Sequence, residues 1–338
     1  MKKIIVTGCA GYIGSIASDL FLKNGYTVVG IDNFQTGYKQ PIDILKKKYS
    51  NFIFYERNLK DDLSYIFEKE KDIAAVVHYA ASCVVDESMS NPYKYFSNNP
   101  NSTLNLVETM TKFNVKNLVF SSTCALYGEA QYVPLDEKHP TNPNNVYGES
   151  KLAAEKIINW YGQLKDLNYI IFRYFNVSGA TEDGQFGYSK NPSTHLTENA
   201  VRSALGIVTF YLTYNQMNTP DGSPIRDYVN VLDLNEAHML AVEKLTSLND
   251  EEKFNEIINL GTGTGNSVLE VVNKVQELTG KKFEIKKADK PRKGEAPKLI
   301  ASIEKAKKVL GWQPKRKIAD SVRSLISWYR KHPQGWEY

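Results

Sequence analysis

The 338-residue chain is 42% hydrophobic, enough to bury a large core and too long for one small domain. Its 42 basic and 38 acidic residues leave a formal net charge of +4, a surplus too mild to call for nucleic acid or a membrane surface, though it suits a diphosphate held locally. Three cysteines, Cys9, Cys83 and Cys124, with no Cys-x-x-Cys spacing, argue against a disulfide framework or a structural zinc site and fit a reducing, cytoplasmic compartment. Met1-Lys2-Lys3 is followed by too few apolar residues for the core of a signal peptide. Nothing in the chain reads as a membrane span. Taken in order, short apolar runs predict strands over residues 3–6, 27–31, 51–55, 74–79, 117–121 and 168–172, with helical patterns between them. Strand-helix alternation of this kind specifies βαβ units and a parallel sheet. The triplet Lys46-Lys47-Lys48 reads as a solvated face. Residues 176–228, rich in Gly, Asn, Thr and Pro, read as loops that cover a ligand. A helix is expected over 198–205, a further strand over 257–260, and a helical tail ending near Trp328 and Tyr329. The fold class is therefore α/β, a doubly wound parallel sheet with a smaller C-terminal lobe interleaved with it. Residues 1–175 are expected to form the main sheet-bearing part, with about 226–262 returning to it, and 176–338 mainly the second lobe.

Gly8, Gly11 and Gly14 form Gly-x-x-Gly-x-x-Gly directly after the first strand. Such a turn lets backbone approach a pyrophosphate closely, and the following helix presents free N–H groups and its positive dipole end to the charge. A glycine triplet alone is a weak signal. Here a strand precedes it, a helix follows, and Asp32 closes the second strand, placed to bond adenosine ribose hydroxyls and to repel a 2′-phosphate. The expected cofactor is NAD rather than NADP. The second glycine cluster, Gly261-Thr262-Gly263-Thr264-Gly265, has no such acidic partner and reads as a structural turn.

Tyr147 and Lys151 lie four residues apart and share a helix face. An ammonium beside a phenol is expected to pull its pKa down from about 10 toward neutrality, so that the tyrosine takes a proton from a sugar hydroxyl while hydride leaves the same carbon. The spacing recurs by chance in a chain with 21 tyrosines. Ser121-Ser122-Thr123 narrows the reading, because it closes the fifth strand at the carboxyl edge where open α/β sheets bind ligands. Thr123 is placed to share a hydrogen bond with the same hydroxyl.

Glycine turn, acidic second strand, strand-five hydroxyl and Tyr-x-x-x-Lys, in that order, resemble the extended short-chain dehydrogenase/reductase family, and over nearly the whole chain its UDP-galactose 4-epimerase branch. The resemblance is carried by Val6-Thr7-Gly8-Cys9-Ala10-Gly11-Tyr12-Ile13-Gly14-Ser15, Ile31-Asp32-Asn33, His78-Tyr79-Ala80-Ala81 and Asp86-Glu87-Ser88. It continues through Asn98-Asn99, Val146-Tyr147-Gly148-Glu149-Ser150-Lys151, Arg173-Tyr174-Phe175-Asn176, Arg226-Asp227-Tyr228, Asn259-Leu260-Gly261 and His332-Pro333-Gln334-Gly335. It implies a Rossmann-like domain holding NAD through Gly8, Gly11, Tyr12, Ile13, Gly14, Asp32, Asn33, Asn58, Leu59, Tyr79, Ala80, Ala81, Asn98, Ser121, Tyr147, Lys151 and Tyr174. It also implies a smaller lobe for a UDP-sugar. Tyr147 would be the base, Lys151 its tuner and Thr123 the hydroxyl partner. Asn176, His195, Leu196, Tyr211, Arg226, Tyr228, Arg292, Glu295 and Leu299 would line the substrate site, the two arginines matching diphosphate oxygens. The implied reaction is C4 epimerisation by transient oxidation and hydride return through retained NAD, in a homodimer.

The chain departs from that branch in places. Asn58 stands where relatives carry the Asp that bonds the adenine amino group. Cys83 replaces a lysine near the pyrophosphate. Pro100 and Ser102 alter the segment after Asn98-Asn99. Phe210-Tyr211-Leu212-Thr213-Tyr214 replaces a shorter Ile-Phe-Gly that stacks on uracil, leaving Tyr211 as the stacking candidate. Leu299 sits where side-chain size gates N-acetylated sugars. The rival readings are a 4-epimerase of another UDP-sugar (an N-acetylhexosamine, a pentose or a uronic acid), a 4,6-dehydratase, and a non-catalytic NAD-binding sensor. A dehydratase needs Asp-Glu directly after the strand-five threonine, where this chain has Cys124-Ala125. A sensor loses the tyrosine or the lysine, and both are present.

Overall fold

Runs that are apolar at every position, such as Ile4, Ile5 and Val6, suit strands buried on both faces. The computed structural model, which describes residues 2–249, 251–289 and 296–336, places seven of them side by side. These are β1 (Lys3–Thr7), β2 (Thr27–Asp32), β3 (Phe52–Glu56), β4 (Ile73–His78), β5 (Asn117–Thr123), β6 (Asn168–Tyr174) and a late seventh strand, Asn255–Leu260. All pairs are parallel, in the spatial order Asn255–Leu260, β6, β5, β4, β1, β2, β3. Alternate side chains feed two cores: Ile4, Val6, Val28, Val77 and Phe172 on one face, and Ile5, Val29, Val76, Leu118 and Ile171 on the other. The chain order reverses between β1 and β4, the place where such sheets open a crevice at their carboxyl ends. Register brings Thr7 beside Ile31 and His78, and Thr123 beside Tyr174, so that edge carries the residues singled out above.

The expected doubly wound α/β sheet is present. β5 and β6 each run two residues further than expected, to Thr123 and Tyr174, because polar residues at a carboxyl edge hide a strand from a hydrophobicity pattern. The stretch 176–228, expected as loops, is not all loop. Asn176–Ser178 pairs with Tyr228–Asn230, Phe210–Leu212 with Ile285–Lys287, and Ile225–Arg226 with Lys298–Leu299 and Asn266–Ser267. Strands of two or three residues are too short to show periodicity. The second glycine cluster wraps the fully buried Asp227, whose carboxylate accepts from the Thr262 N–H (2.6 Å), the Thr262 hydroxyl (2.7 Å) and the Gly263 N–H (3.0 Å). The helix Val231–Leu245 packs against β4, β5 and β6. The closing helix Ile318–Lys331 buries Val322, Leu325, Trp328 and Tyr329. Its Trp328 Nε1 and Tyr329 hydroxyl both donate to the Tyr188 carbonyl at 3.0 Å. Gly335, at φ +75°, then presses the chain onto Ser189, leaving no room for a Cβ. Among the described residues no helix is long and apolar enough to cross a membrane.

Candidate active site

At the carboxyl edge lies a cavity of about 1050 Å³; a site for one drug-sized ligand runs from roughly 300 to 1,000 Å³. One end is built by the glycine turn. Gly8 sits at φ +72°, and a Cβ there would stand 2.7 Å from the Ala80 nitrogen; a Cβ on Gly14 would strike the Gly8 carbonyl. Gly11 then starts the helix Tyr12–Lys23 without a side-chain cap, which leaves its first N–H groups to an anion. Asp32 closes β2 beside this turn. Its carboxylate accepts from the Ala10 N–H (3.0 Å) and the Phe34 N–H (2.8 Å), and burial pushes its pKa up against those donors. A cradle that excludes side chains, an uncapped helix start and a carboxylate at the next strand end fit NAD. Asn33, Asn58, Leu59, Tyr79, Ala80, Ala81 and Asn98 line the same end. The Asn58 side-chain oxygen already accepts from the Lys60 N–H at 3.0 Å, so any adenine contact would share it.

Tyr147 and Lys151 come from the helix Val146–Leu164, whose start is fixed by Asn145 accepting from the Gly148 N–H at 2.8 Å. Ser88 accepts from the Tyr147 N–H (3.1 Å), and Asn99 donates to both the Ser82 carbonyl (3.0 Å) and the Ser150 hydroxyl (2.9 Å). These ties lock the helix to two others, Val85–Ser90 through Ser88 and Pro92–Lys112 through Asn99. Lys151, 3% exposed, donates to the Ser121 carbonyl at 2.7 Å. Burial pushes its ammonium down to about 8. Burial likewise pushes the Tyr147 phenol well above its usual value, with neighbouring Tyr174 adding to the shift and the Thr123 hydroxyl opposing it. The expected lowering of the Tyr147 pKa is therefore overturned in this structure. Desolvation outweighs a lysine whose nearest partner is a main-chain oxygen.

All the remaining sequence-derived candidates among the described residues line the cavity, with one exception. Thr123 and Tyr174 act directly on Tyr147; Tyr12, Ile13, Asn176, His195, Leu196, Tyr211, Arg226, Tyr228 and Leu299 also line the cavity. Ser121 does not reach it. At 1% exposure it is buried, its hydroxyl 3.2 Å from His238 Nε2 and its carbonyl accepting from Lys151. Arg292 and Glu295 lie outside the described residues. Strand alternation explains why Arg226 and Tyr228 line the cavity while Asp227 turns to the glycine cluster. Leu299 is the register partner of Arg226. Phe210 is buried against Phe283, leaving Tyr211, 51% exposed, on the cavity wall. Two contacts made by lining residues escaped the sequence reading. Tyr188 stacks on His195 with centroids 4.4 Å apart, and the Tyr79 hydroxyl donates to Asn235 at 3.0 Å.

Comparison with known proteins points the same way. The family model described as GDP-mannose 4,6 dehydratase matches residues 5–325. A UDP-glucose 4-epimerase of Lacticaseibacillus casei is 40% identical, with 98% of each chain covered. A crystal structure of a UDP-glucose 4-epimerase superposes with a TM-score of 0.92 at 39% identity, covering 100% of both chains. The UDP-glucose 4-epimerase of Bifidobacterium longum, solved in complex with NAD+ and UDP, superposes at 0.90 with 31% identity, covering 99% of this chain and 100% of that one.

Proposed function

The chain belongs to the GDP-mannose 4,6-dehydratase family and, within it, to the UDP-glucose 4-epimerases, and from that premise we propose that it interconverts UDP-galactose and UDP-glucose with retained NAD. The observation that carries this reading is a single cavity that joins the glycine turn and Asp32 to Thr123, Tyr147 and Lys151 at its centre and to Arg226 at its far end. NAD, when bound, supplies the acceptor and then the donor of one hydride at the sugar C4. The chain's own part is the proton. Tyr147 takes it from the C4 hydroxyl and gives it back, with Thr123 hydrogen-bonding the same oxygen. Lys151 favours the phenolate electrostatically once the site is filled. Arg226 and Arg292 hold the diphosphate while the sugar, still joined to UDP, turns to present its other face, and Tyr211 stacks on the uracil. Gly8, Gly11 and Gly14 cradle the cofactor pyrophosphate, and Asp32 takes the adenosine ribose.

Dehydratase chemistry finds no acid–base pair here. Cys124 and Ala125 follow Thr123 in a 3-10 turn, and burial raises the Cys124 thiol to about 12. We assign residues 1–175 with about 226–262 to the NAD-binding lobe and the rest of 176–338 mainly to the UDP-sugar lobe. The protein acts in the cytoplasm as a homodimer, a reading supported by its unpaired thiols and by exposed apolar residues on its outer helices. The decisive test is to incubate purified protein with UDP-galactose, without added NAD, and to assay UDP-glucose. Product shows epimerisation and a retained cofactor together. No product even after NAD is added overturns the substrate assignment.

A further inference from the structure

The helix Leu196–Ala204 carries a carboxylate in an unusual position. Glu198 is fully buried, and its Oε1 has no hydrogen-bond partner among the described residues. Oε2 is fixed, accepting from the Thr197 hydroxyl at 2.6 Å, which itself accepts from Ser178 at 2.9 Å. A buried acceptor left open at one atom calls for a partner. The nearest candidate is His195 Nδ1, 3.8 Å from Oε1 and equally buried and unpartnered. Among the described residues the imidazole is not pinned by any other bond; it is stacked on Tyr188, and a turn about its soft final torsion closes the gap. Nδ1 is buried while 38% of the side chain remains open and lines the cavity, so Nε2 is the nitrogen left to the ligand.

We propose that Glu198 is a positioning residue for His195: it receives the Nδ1–H hydrogen bond, presents Nε2 to the cavity, and stabilises the imidazolium that forms when the diphosphate of a UDP-sugar enters. Ligand binding then takes up a proton from solvent, and the charge pattern becomes carboxylate, imidazolium, diphosphate. The other groups facing the pair do not compete for that proton. Tyr12, from the helix Tyr12–Lys23, and Tyr329, from Ile318–Lys331, are phenols pushed up by burial and then by Glu198 itself; burial also raises Tyr188. Arg202, one turn along the helix, lies over the Tyr329 ring at 5.7 Å and donates from Nη2 to Asn191 at 3.2 Å; its Nε is buried and, among the described residues, also unpartnered, but a guanidinium takes up no further proton. Lys190, on the cavity wall, acts on Cys83 and Glu87.

The inference rests on reading this cavity as a UDP-sugar site, and the test separates the two. NAD-loaded protein is titrated with UDP by calorimetry at pH 7.5 in buffers of differing ionisation enthalpy, which counts protons taken up. The wild type is expected to take up close to one proton per UDP, and Glu198→Gln close to none, with affinity weakened about tenfold. His195→Gln, a change at a partly open position, carries the same expectation should the Glu198 variant fail to fold. Undiminished proton uptake in either variant, or binding by the wild type with no uptake, overturns the proposal while leaving the UDP site standing. Absence of UDP binding by the wild type overturns both.

Discussion

Tyr147 sits where two opposing influences meet, and its chemistry follows from which prevails. Burial beside Tyr95 and Tyr174 favours the neutral phenol; a filled site must shift that balance for the residue to act as a base. Tyr147→Phe removes the proton carrier without altering the cradle of Gly8 and Gly14. It should retain NAD, seen as a bound absorbance band, while turnover falls by roughly 10²- to 10⁴-fold. Turnover near the wild-type level would move the base elsewhere. Lys151 predicts an alkaline limit. Its ammonium is held down to about 8, so the charge that favours phenolate is lost as pH rises through that value. In the free enzyme kcat/KM should fall above about pH 8, and Lys151→Met should flatten that limb as well as slow the reaction. An unchanged limb in the variant would assign it to another group. Asp32→Ala should relax the discrimination between NAD and NADP, read from the affinity of the cofactor-free protein for each; unchanged discrimination would place the acidic contact elsewhere. Tyr147 and Lys151 were legible in the sequence because helix spacing fixes their common face. The partners of Ser88, Asn99, Tyr188 and Asn235 were not, because each is met across a separation that only the folded chain closes.

At the scale of elements, the strands carry a buried titration signature. His78 ends β4 with Nδ1 2.7 Å from the Thr7 hydroxyl and Nε2 3.2 Å from Thr103; His238, on the helix Val231–Leu245, lies against Tyr79 and Phe172. Burial pulls them down to about 3 and about 4. A histidine whose folded pKa lies below its unfolded value of about 6.5 gives its full stability above that value and loses it as pH falls toward the folded one. Each should cost about 2 kcal/mol of stability by pH 5. Melting temperature should therefore drop between pH 6.5 and 4.5, and His238→Gln should make that drop shallower; a parallel pH profile in the variant would trace the acid lability to other groups. The long strands and the helix Pro92–Lys112 were legible because apolar runs and 3.6-residue periodicity persist over many residues. Pro100 lies inside that helix without ending it, a tolerance its local sequence does not show. The two- and three-residue strands around Arg226 were illegible because their pairing depends on chain segments up to tens of residues away.

For the whole molecule, the remaining question is what covers the outer helices. Pro92–Lys112 and Val146–Leu164 lie side by side, joined by the Tyr161 hydroxyl donating to Glu108 at 2.6 Å. Tyr93, Phe96 and Leu104 recur at helical spacing on the first, and Trp160 and Leu164 on the second; Tyr93 is 81% exposed and Leu164 69%. Single exposed apolar residues are ordinary, but five of them on two adjacent helices suit an interface between two copies. A two-fold axis through these helices would be self-complementary and would close the assembly at two copies, with the paired helices forming a four-helix bundle. The same helix Val146–Leu164 carries Tyr147 and Lys151 at its inner end, so pairing would also brace the catalytic helix. The mass in solution by light scattering should be twice 38.3 kDa. The double variant Trp160→Glu, Leu164→Glu places four like charges across the axis and should give the single-chain mass, with NAD retained and the melting temperature lowered. A wild type that stays at 38.3 kDa at micromolar concentration, or a double variant that remains paired, would show that these helices are not where two copies meet.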